Sequence, residues 1–536
     1  MTDTVQTGPE GPTPPPEKRN AFTRFLDGVE WLGNLLPHPV TLFALLAVAM
    51  VLLSGLFAWM GVAVDDPRPL GSAARSDTGM IEAVSLMNGD GVRRIFTGLV
   101  GNFTSFAPLG VVLVSMLGIG VAERSGLLSA TVRALVLGAS PRIVTVAIVF
   151  AGVISNTAGE VGYVVLIPLA GAVYYSLGRH PLAGMAAAFA GVSGGYSANL
   201  LIGSIDPLLA GITEEAAQLI DPAYMVTATA SYYFMAVSTF LVTAIGSLVS
   251  LYIVEPKLGA YDASRADPTV LRADGAAPLS GQERKGLWVA GLAVLAVFGL
   301  MALTLLPEWG VLRDPETGDQ LRSPFFTGFA VWILLFFLIV GSAYGRVVGS
   351  VRNDRDVIDG MASGLSTLGL YLVIVFFAAQ FVAIFNWTNL GAITAVNGAI
   401  FLQETGLTGP GVFVIFIAIC ALVNLMIGSA SAQWALTAPV FVPMLMLIGY
   451  SPEVIQTAYR IGDSTTNIIT PMMSYFGLIL AWATRYDKKI GIGTLIAMML
   501  PYSIFFTIAW TALFFLWVFG FGLPVGPGSP TYYTPG

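Results

Sequence analysis

Residues 405–452 contain no Asp, Glu, Lys or Arg, and the same is true of 31–64, 95–122, 222–254, 286–307, 323–345, 361–403 and 490–536. A helix crosses the hydrocarbon of a bilayer with about 20 apolar residues. Each of these stretches is therefore long enough to span, and 361–403 and 405–452 must each hold more than one element. Only 11% of the 536 residues are charged, against about 25% in a soluble domain, whose surface must face water. The sequence predicts an all-α polytopic membrane protein.

Basic loop residues orient such a chain. Lys18, Arg19 and Arg24 precede the first apolar stretch. Lys257, Arg265, Arg272, Arg284 and Lys285 lie in 255–285, Arg346, Arg352 and Arg355 in 346–355, and Arg485, Lys488 and Lys489 form a third group. These groups are expected in the cytoplasm. No basic residue follows Lys489, which places the C-terminus outside and requires an odd number of crossings, about nine by the length rule. Residues 1–24 read as a polar, proline-rich cytoplasmic segment. Residues 25–254 read as one half of the membrane domain, 255–285 as a cytoplasmic loop, 286–522 as the second half and 523–536 as a tail. Residues 349–363 read as a short interfacial helix.

The two halves echo one another. Pro168 and Pro181 are matched by Pro439 and Pro452 at the same separation. Asn156 precedes the first pair and Asn424 the second. A polar, small-residue tip follows each, Gly194-Gly195-Tyr196-Ser197-Ala198-Asn199-Leu200 and Gly462-Asp463-Ser464-Thr465-Thr466-Asn467-Ile468, and each block then meets Pro207 or Pro471. Many transporters are inverted repeats whose broken helices meet at the midplane, where freed backbone groups bind substrate and ions. Non-helical backbone survives at that depth only where it lines a cavity or is buried in protein. Segments 181–207 and 452–471 are expected to be two re-entrant helical hairpins.

Ionisable groups inside a membrane are costly and mark function. Glu160, Asp206, Arg460 and Asp463 are the candidates. Arg460 and Asp463 share a helix face by spacing. A guanidinium suits a substrate carboxylate and Asp463 suits a coupling ion or proton, while the alternative is a structural ion pair. Asp206 either joins them or caps the chain before Pro207. Asn156, Asn199, Asn424 and Asn467 offer amide oxygens to a cation or hydrogen bonds between helices. Trp434, after Gly428-Ser429-Ala430-Ser431-Ala432-Gln433, either packs or stacks an aromatic substrate.

The negative balance, formally −7, and the lack of a basic patch argue against nucleic acid. Cys420 is the only cysteine and His38 and His180 the only histidines, so disulfides within the chain and cysteine zinc sites are excluded. Gly191-Val192-Ser193-Gly194-Gly195 fits a hydrolase pattern that needs Asp and His partners, and neither histidine suits one. No ATP-binding fingerprint is present.

Ser155-Asn156-Thr157 leading to Pro168, the tip 194–201, the run Gly428–Pro439 and above all Tyr459-Arg460-Ile461-Gly462-Asp463-Ser464-Thr465-Thr466-Asn467-Ile468-Ile469-Thr470-Pro471 resemble the AbgT family of p-aminobenzoyl-glutamate transporters. The resemblance runs from about residue 25 to 520. It implies a homodimer in the bacterial cytoplasmic membrane, each protomer with nine crossings and two hairpins. It also implies transport of p-aminobenzoyl-glutamate, p-aminobenzoate or sulfonamide-like aromatic acids, inward or outward, driven by Na⁺ or H⁺ and needing no other cofactor. Asp206, Ser431, Trp434, Pro452, Arg460, Asp463 and Pro471 fall at its transport-critical positions, and Asn424, Gly428, Asp463 and Asn467 where its sodium site is expected. Ser155-Asn156-Thr157 also resembles Na⁺-coupled dicarboxylate symporters, the main alternative. A membrane-embedded serine hydrolase using Ser193 is a third reading.

Overall fold

A computed structural model describes residues 37–534 apart from 69–74, 159–161, 263, 265–277 and 322. Glu160, Lys18, Arg19, Arg24, Arg265 and Arg272 lie outside the described residues. The protein is helical almost throughout. Among the described residues, one small sheet pairs Ala63–Asp65 with Met80–Glu82, antiparallel. Among the described residues, eight helices are long and apolar enough to cross a membrane, from Pro39–Trp59 to Ile492–Gly520. Pro39–Trp59 and Gly281–Leu305 bury little of their surface in the protein, and their exposed Leu45, Leu52, Trp288 and Leu292 suit lipid contact. The segment 349–363, expected to be an interfacial helix, contains the start of helix Asp354–Ser366, opened by a capping box between Asn353 and Asp356.

The remaining apolar helices are short. Val144–Ser155 has 12 residues and reaches only about 18 Å at a rise of about 1.5 Å per residue, too little to span. Four of these short helices, with the longer Ala430–Leu447 and the polar Pro452–Asn467, form the repeat. In the first half, Val144–Ser155, Gly162–Ser176 and Pro181–Gly194 are followed by an irregular stretch and then Ile205–Ala217. In the second, Val412–Met426, Ala430–Leu447 and Pro452–Asn467 are followed by another irregular stretch and then Phe476–Tyr486. In both halves the first helix packs on the third. The crossings are backbone to backbone. A Cβ on Gly191 would stand 2.4 Å from the Val149 carbonyl oxygen, and one on Gly462 2.6 Å from that of Ile417. Proline opens each third helix, Pro181 after His180 and Pro452 after Ser451, where its missing N–H costs nothing.

The breaks differ from the expected segments 181–207 and 452–471. The first opens at Gly195, so that 181–207 holds one helix, an unwound stretch and the start of the next. The second opens only after Asn467. Gly194-Gly195 gives the first tip no side chain to hold a helix. In the second, the Thr465 and Thr466 hydroxyls donate to the carbonyls of Ile461 and Gly462 at 2.8 and 2.9 Å, and the helix persists.

Two ends of the molecule are stitched separately. At one end the Tyr261 hydroxyl donates to the Tyr486 carbonyl, and Ser350 donates to the Ser125 carbonyl. Arg179 meets Glu255 and Arg133 meets Glu283 there. At the other end the tail crosses the start of helix Pro452–Asn467. Ser451 Oγ donates to the Pro530 carbonyl at 2.5 Å, and Tyr533 N–H to the Gly449 carbonyl at 2.9 Å.

Candidate functional site

Helix Pro452–Asn467 carries the site. All 16 of its residues are buried, although it includes Glu453, Gln456, Arg460, Asp463, Ser464, Thr465, Thr466 and Asn467. Gln456, Arg460, Asp463 and Asn467 follow one another at steps of four, three and four, which is one face of an α-helix. A polar face is kept in a protein interior only if its groups are paired or used.

Arg460 does not pair with Asp463 as their spacing suggested. Its Nη2 lies 2.7 Å from Asp206 Oδ1, with both side chains at most 3% exposed. Asp206 Oδ2 accepts from the Gly203 N–H at 2.8 Å. Asp206 therefore both holds the turn and meets the arginine, joining the two halves. The rest of the guanidinium is poorly served. Nε has no hydrogen-bond partner, and Nη1 points at Met235 Sδ, 3.3 Å away, a weak acceptor. Both carboxylate oxygens of Asp463 are buried without a hydrogen bond.

Asn424 closes the other side of this cluster. Its Nδ2 donates to the Asp463 carbonyl at 2.7 Å and approaches Thr466 Oγ1 and Asn467 Oδ1 at 2.9 Å, while its own Oδ1 is buried and unpaired. Gly428 sits where a Cβ would stand 2.7 Å from the Met472 carbonyl carbon, so the stretch before helix Ala430–Leu447 touches the second break directly. Thr470 Oγ1 donates to the Asn424 carbonyl at 3.3 Å, and Pro471 follows, partly buried. Helix C-termini and unwound carbonyls gathered in this way favour a cation.

Trp434 is fully buried. Its ring stacks on Tyr459 with centroids 4.3 Å apart, and its Nε1 donates to Thr213 Oγ1 at 2.9 Å. In this structure Tyr459 occupies the face expected to receive an aromatic ligand. Thr213 in turn donates to Gln456 Oε1 at 2.6 Å. Ser431 is partly buried, with its Oγ 3.5 Å from that of Ser429. Pro452 is not at the centre. It begins the helix that carries Arg460, roughly 12 Å away along the axis. In the first half, Asn156 Nδ2 donates to the Gly195 carbonyl at 3.2 Å and Thr157 Oγ1 to Asn199 Oδ1 at 2.7 Å. The two tips touch where the Ser197 N–H donates to Ser464 Oγ at 3.1 Å.

Sequence reasoning did not single out Thr213, Met235, Gln456 or Tyr459. The polar run on helix Pro452–Asn467 could have found Gln456; nothing local marks Met235 or Thr213. Ser193 shows no nucleophile geometry. Its hydroxyl points at Met473 Sδ, 3.1 Å away, and the His180 ring packs on Tyr261 instead.

A family model described as the AbgT putative transporter family matches residues 24–533. The p-aminobenzoyl-glutamate transport protein of Escherichia coli (strain K12) is 34% identical over 500 residues, which are 93% of this chain and 95% of that protein. The crystal structure of the YdaH transporter of Alcanivorax borkumensis matches with a TM-score of 0.83 and 47% identity, over 92% of this chain and 100% of that one. The structure of Neisseria gonorrhoeae MtrF, described as illuminating a class of antimetabolite efflux pumps, matches with a TM-score of 0.89 and 58% identity, over 95% and 100%. The fold, the buried polar centre and these matches together make the chain a multi-pass membrane transporter, not an enzyme, and a member of the AbgT family.

Proposed function

We propose that the protein moves p-aminobenzoyl-glutamate, p-aminobenzoate or related aromatic carboxylates across the bacterial cytoplasmic membrane, driven by a Na⁺ or H⁺ gradient. The observation that carries this reading is Arg460. A buried guanidinium has five donors, and here one nitrogen meets Asp206 while Nε is unspent and Nη1 faces a sulfur. A substrate carboxylate arriving at this point replaces or joins Asp206 and takes up those donors in a bidentate bond. Trp434 and Tyr459 supply aromatic surface beside it. Asn424, Gly428, Asp463 and Asn467 hold the coupling cation, with Asp463 as its charge partner or as a proton carrier. The end bearing Arg485, Lys488 and Lys489 faces the cytoplasm and the tail end faces outside. The working unit is a homodimer, which light scattering of the purified protein checks.

Purified protein in liposomes, given labelled p-aminobenzoyl-glutamate or p-aminobenzoate under an imposed Na⁺ or H⁺ gradient, tests the reading. Uphill movement that needs one gradient and is abolished by Arg460→Ala supports it. Movement blocked by succinate but indifferent to p-aminobenzoate replaces it with dicarboxylate symport.

A further inference from the structure

The hydrogen bonds of the second tip are repeated in the first. Asn424 donates to the carbonyl 39 residues later, that of Asp463, and Asn156 donates to the carbonyl 39 residues later, that of Gly195. In each half the tip asparagine's Oδ1 then accepts from the end of the first helix, from the first Asn itself in the second half and from the residue after it in the first. Asn467 Oδ1 accepts from Asn424 Nδ2, and Asn199 Oδ1 from Thr157 Oγ1. The Oδ1 of Asn156 is left buried and unpaired, as that of Asn424 is. A second oxygen of the first tip, Ser197 Oγ, is also buried and unpaired. Asn156 and Ser197 are 5% and 2% exposed. An unsatisfied buried oxygen costs about 1–3 kcal/mol, and here two lie on segments that Asn156 itself ties together.

We infer that the first half holds a monovalent cation site of its own, built from Asn156 Oδ1, Ser197 Oγ and the carbonyls freed where helix Pro181–Gly194 unwinds at Gly195. Gly195 stands where the second half has Asp463. The described oxygens of this site are therefore uncharged, whereas those around Asn424 include a carboxylate. Hard, neutral oxygens suit Na⁺, while a divalent ion draws on carboxylates. The helix C-terminus adds the negative end of its dipole. The Ser197 N–H bonded to Ser464 Oγ joins the two sites through one backbone contact, so that filling one biases the geometry of the other. This inference rests on the reading of the Asn424 cluster as a cation site.

The test is equilibrium binding of radiolabelled Na⁺ to the purified full-length protein without substrate. Wild type is expected to bind about two ions per protomer, and Asp463→Ala and Ser197→Ala about one each. Ser197→Ala removes a single atom with no hydrogen-bond partner, so it folds. Asn156→Asp, which returns an oxygen and adds charge, is expected to keep both ions, while Asn156→Leu loses one. A wild type with one ion, lost in Asp463→Ala and kept in Ser197→Ala and Asn156→Leu, overturns the first-half site and leaves the transport reading intact. A wild type with no bound Na⁺ overturns the inference, independently of any uphill transport driven by protons.

Discussion

Arg460 and Asp206 form an ion pair at 2.7 Å with both side chains buried, and the pair joins the second half of the chain to the first. Removing one partner of such a pair leaves a charge without compensation and costs about 3–5 kcal/mol, whereas replacing both with apolar groups is often neutral. Asp206→Leu alone is expected to lower the unfolding temperature in detergent sharply, and Asp206→Leu with Arg460→Met to restore it. Transport by the restored protein stays at background. A double variant that transports normally would remove the pair from the substrate path.

Trp434 is a packing residue and a hydrogen-bond donor at once. Trp434→Phe keeps the stack on Tyr459 and loses the bond to Thr213, a cost of about 1 kcal/mol. Trp434→Ala leaves a cavity and costs about 3–5 kcal/mol. Denaturant or thermal unfolding of both variants, alone and with Tyr459→Ala, separates the two contributions. Equal losses from Phe and Ala would show that the stack contributes nothing.

Asn424→Ala is expected to reduce the protection by Na⁺ to what the first-half site alone provides. A ligand at a concentration of about 100 times its Kd stabilises the folded state by about 2.7 kcal/mol. An Na⁺ titration followed by thermal unfolding reads this directly. An unchanged shift in the variant would move the cation elsewhere.

The tail fastens the start of helix Pro452–Asn467 through Ser451, Pro530, Gly449 and Tyr533. Ser451 also caps that helix by accepting from the Val454 N–H at 3.3 Å, a contribution of about 1 kcal/mol. Ser451→Ala and removal of residues 529–536 should both raise amide hydrogen exchange at 453–456. Exchange should stay unchanged at Pro181–Gly194.

Much of this was legible because membrane chemistry is restrictive. Uncharged runs give the spans, and the Asn and tip motifs give the repeat, since a polar break in an apolar run has few uses other than a site. The partner of Arg460 was not legible. Spacing puts Asp463 on the same helix face, but a face says nothing about which neighbour the long guanidinium reaches, and Asp206 comes from the other half. The second break was placed too early for a local reason. The helix runs on through Ser464, Thr465 and Thr466 to Asn467 with their hydroxyls satisfied inside the protein, whereas Gly194-Gly195 in the first half carries glycine's entropic cost in a helix. The stack of Tyr459 on Trp434 joins two helices and leaves no trace in either stretch alone.

Gly462 carries a close backbone crossing in the second half. A Cβ there would meet the Ile417 carbonyl at 2.6 Å and the Ala421 nitrogen at 3.0 Å. Gly462→Ala should therefore cost about 1–3 kcal/mol by overpacking, and Gly462→Val more. Cys420, buried against the same crossing, should react with a small thiol reagent faster in Gly462→Ala than in wild type.

Helix Pro452–Asn467 has no residue at the protein surface, while Pro39–Trp59 and Gly281–Leu305 are mostly uncovered. Acyl-chain length and bilayer thickness therefore press on those outer helices and never directly on the one that carries Arg460 and Asp463. Lipid dependence is therefore expected to reside in the outer frame, and ligand affinity measured in bilayers of two thicknesses should be the same.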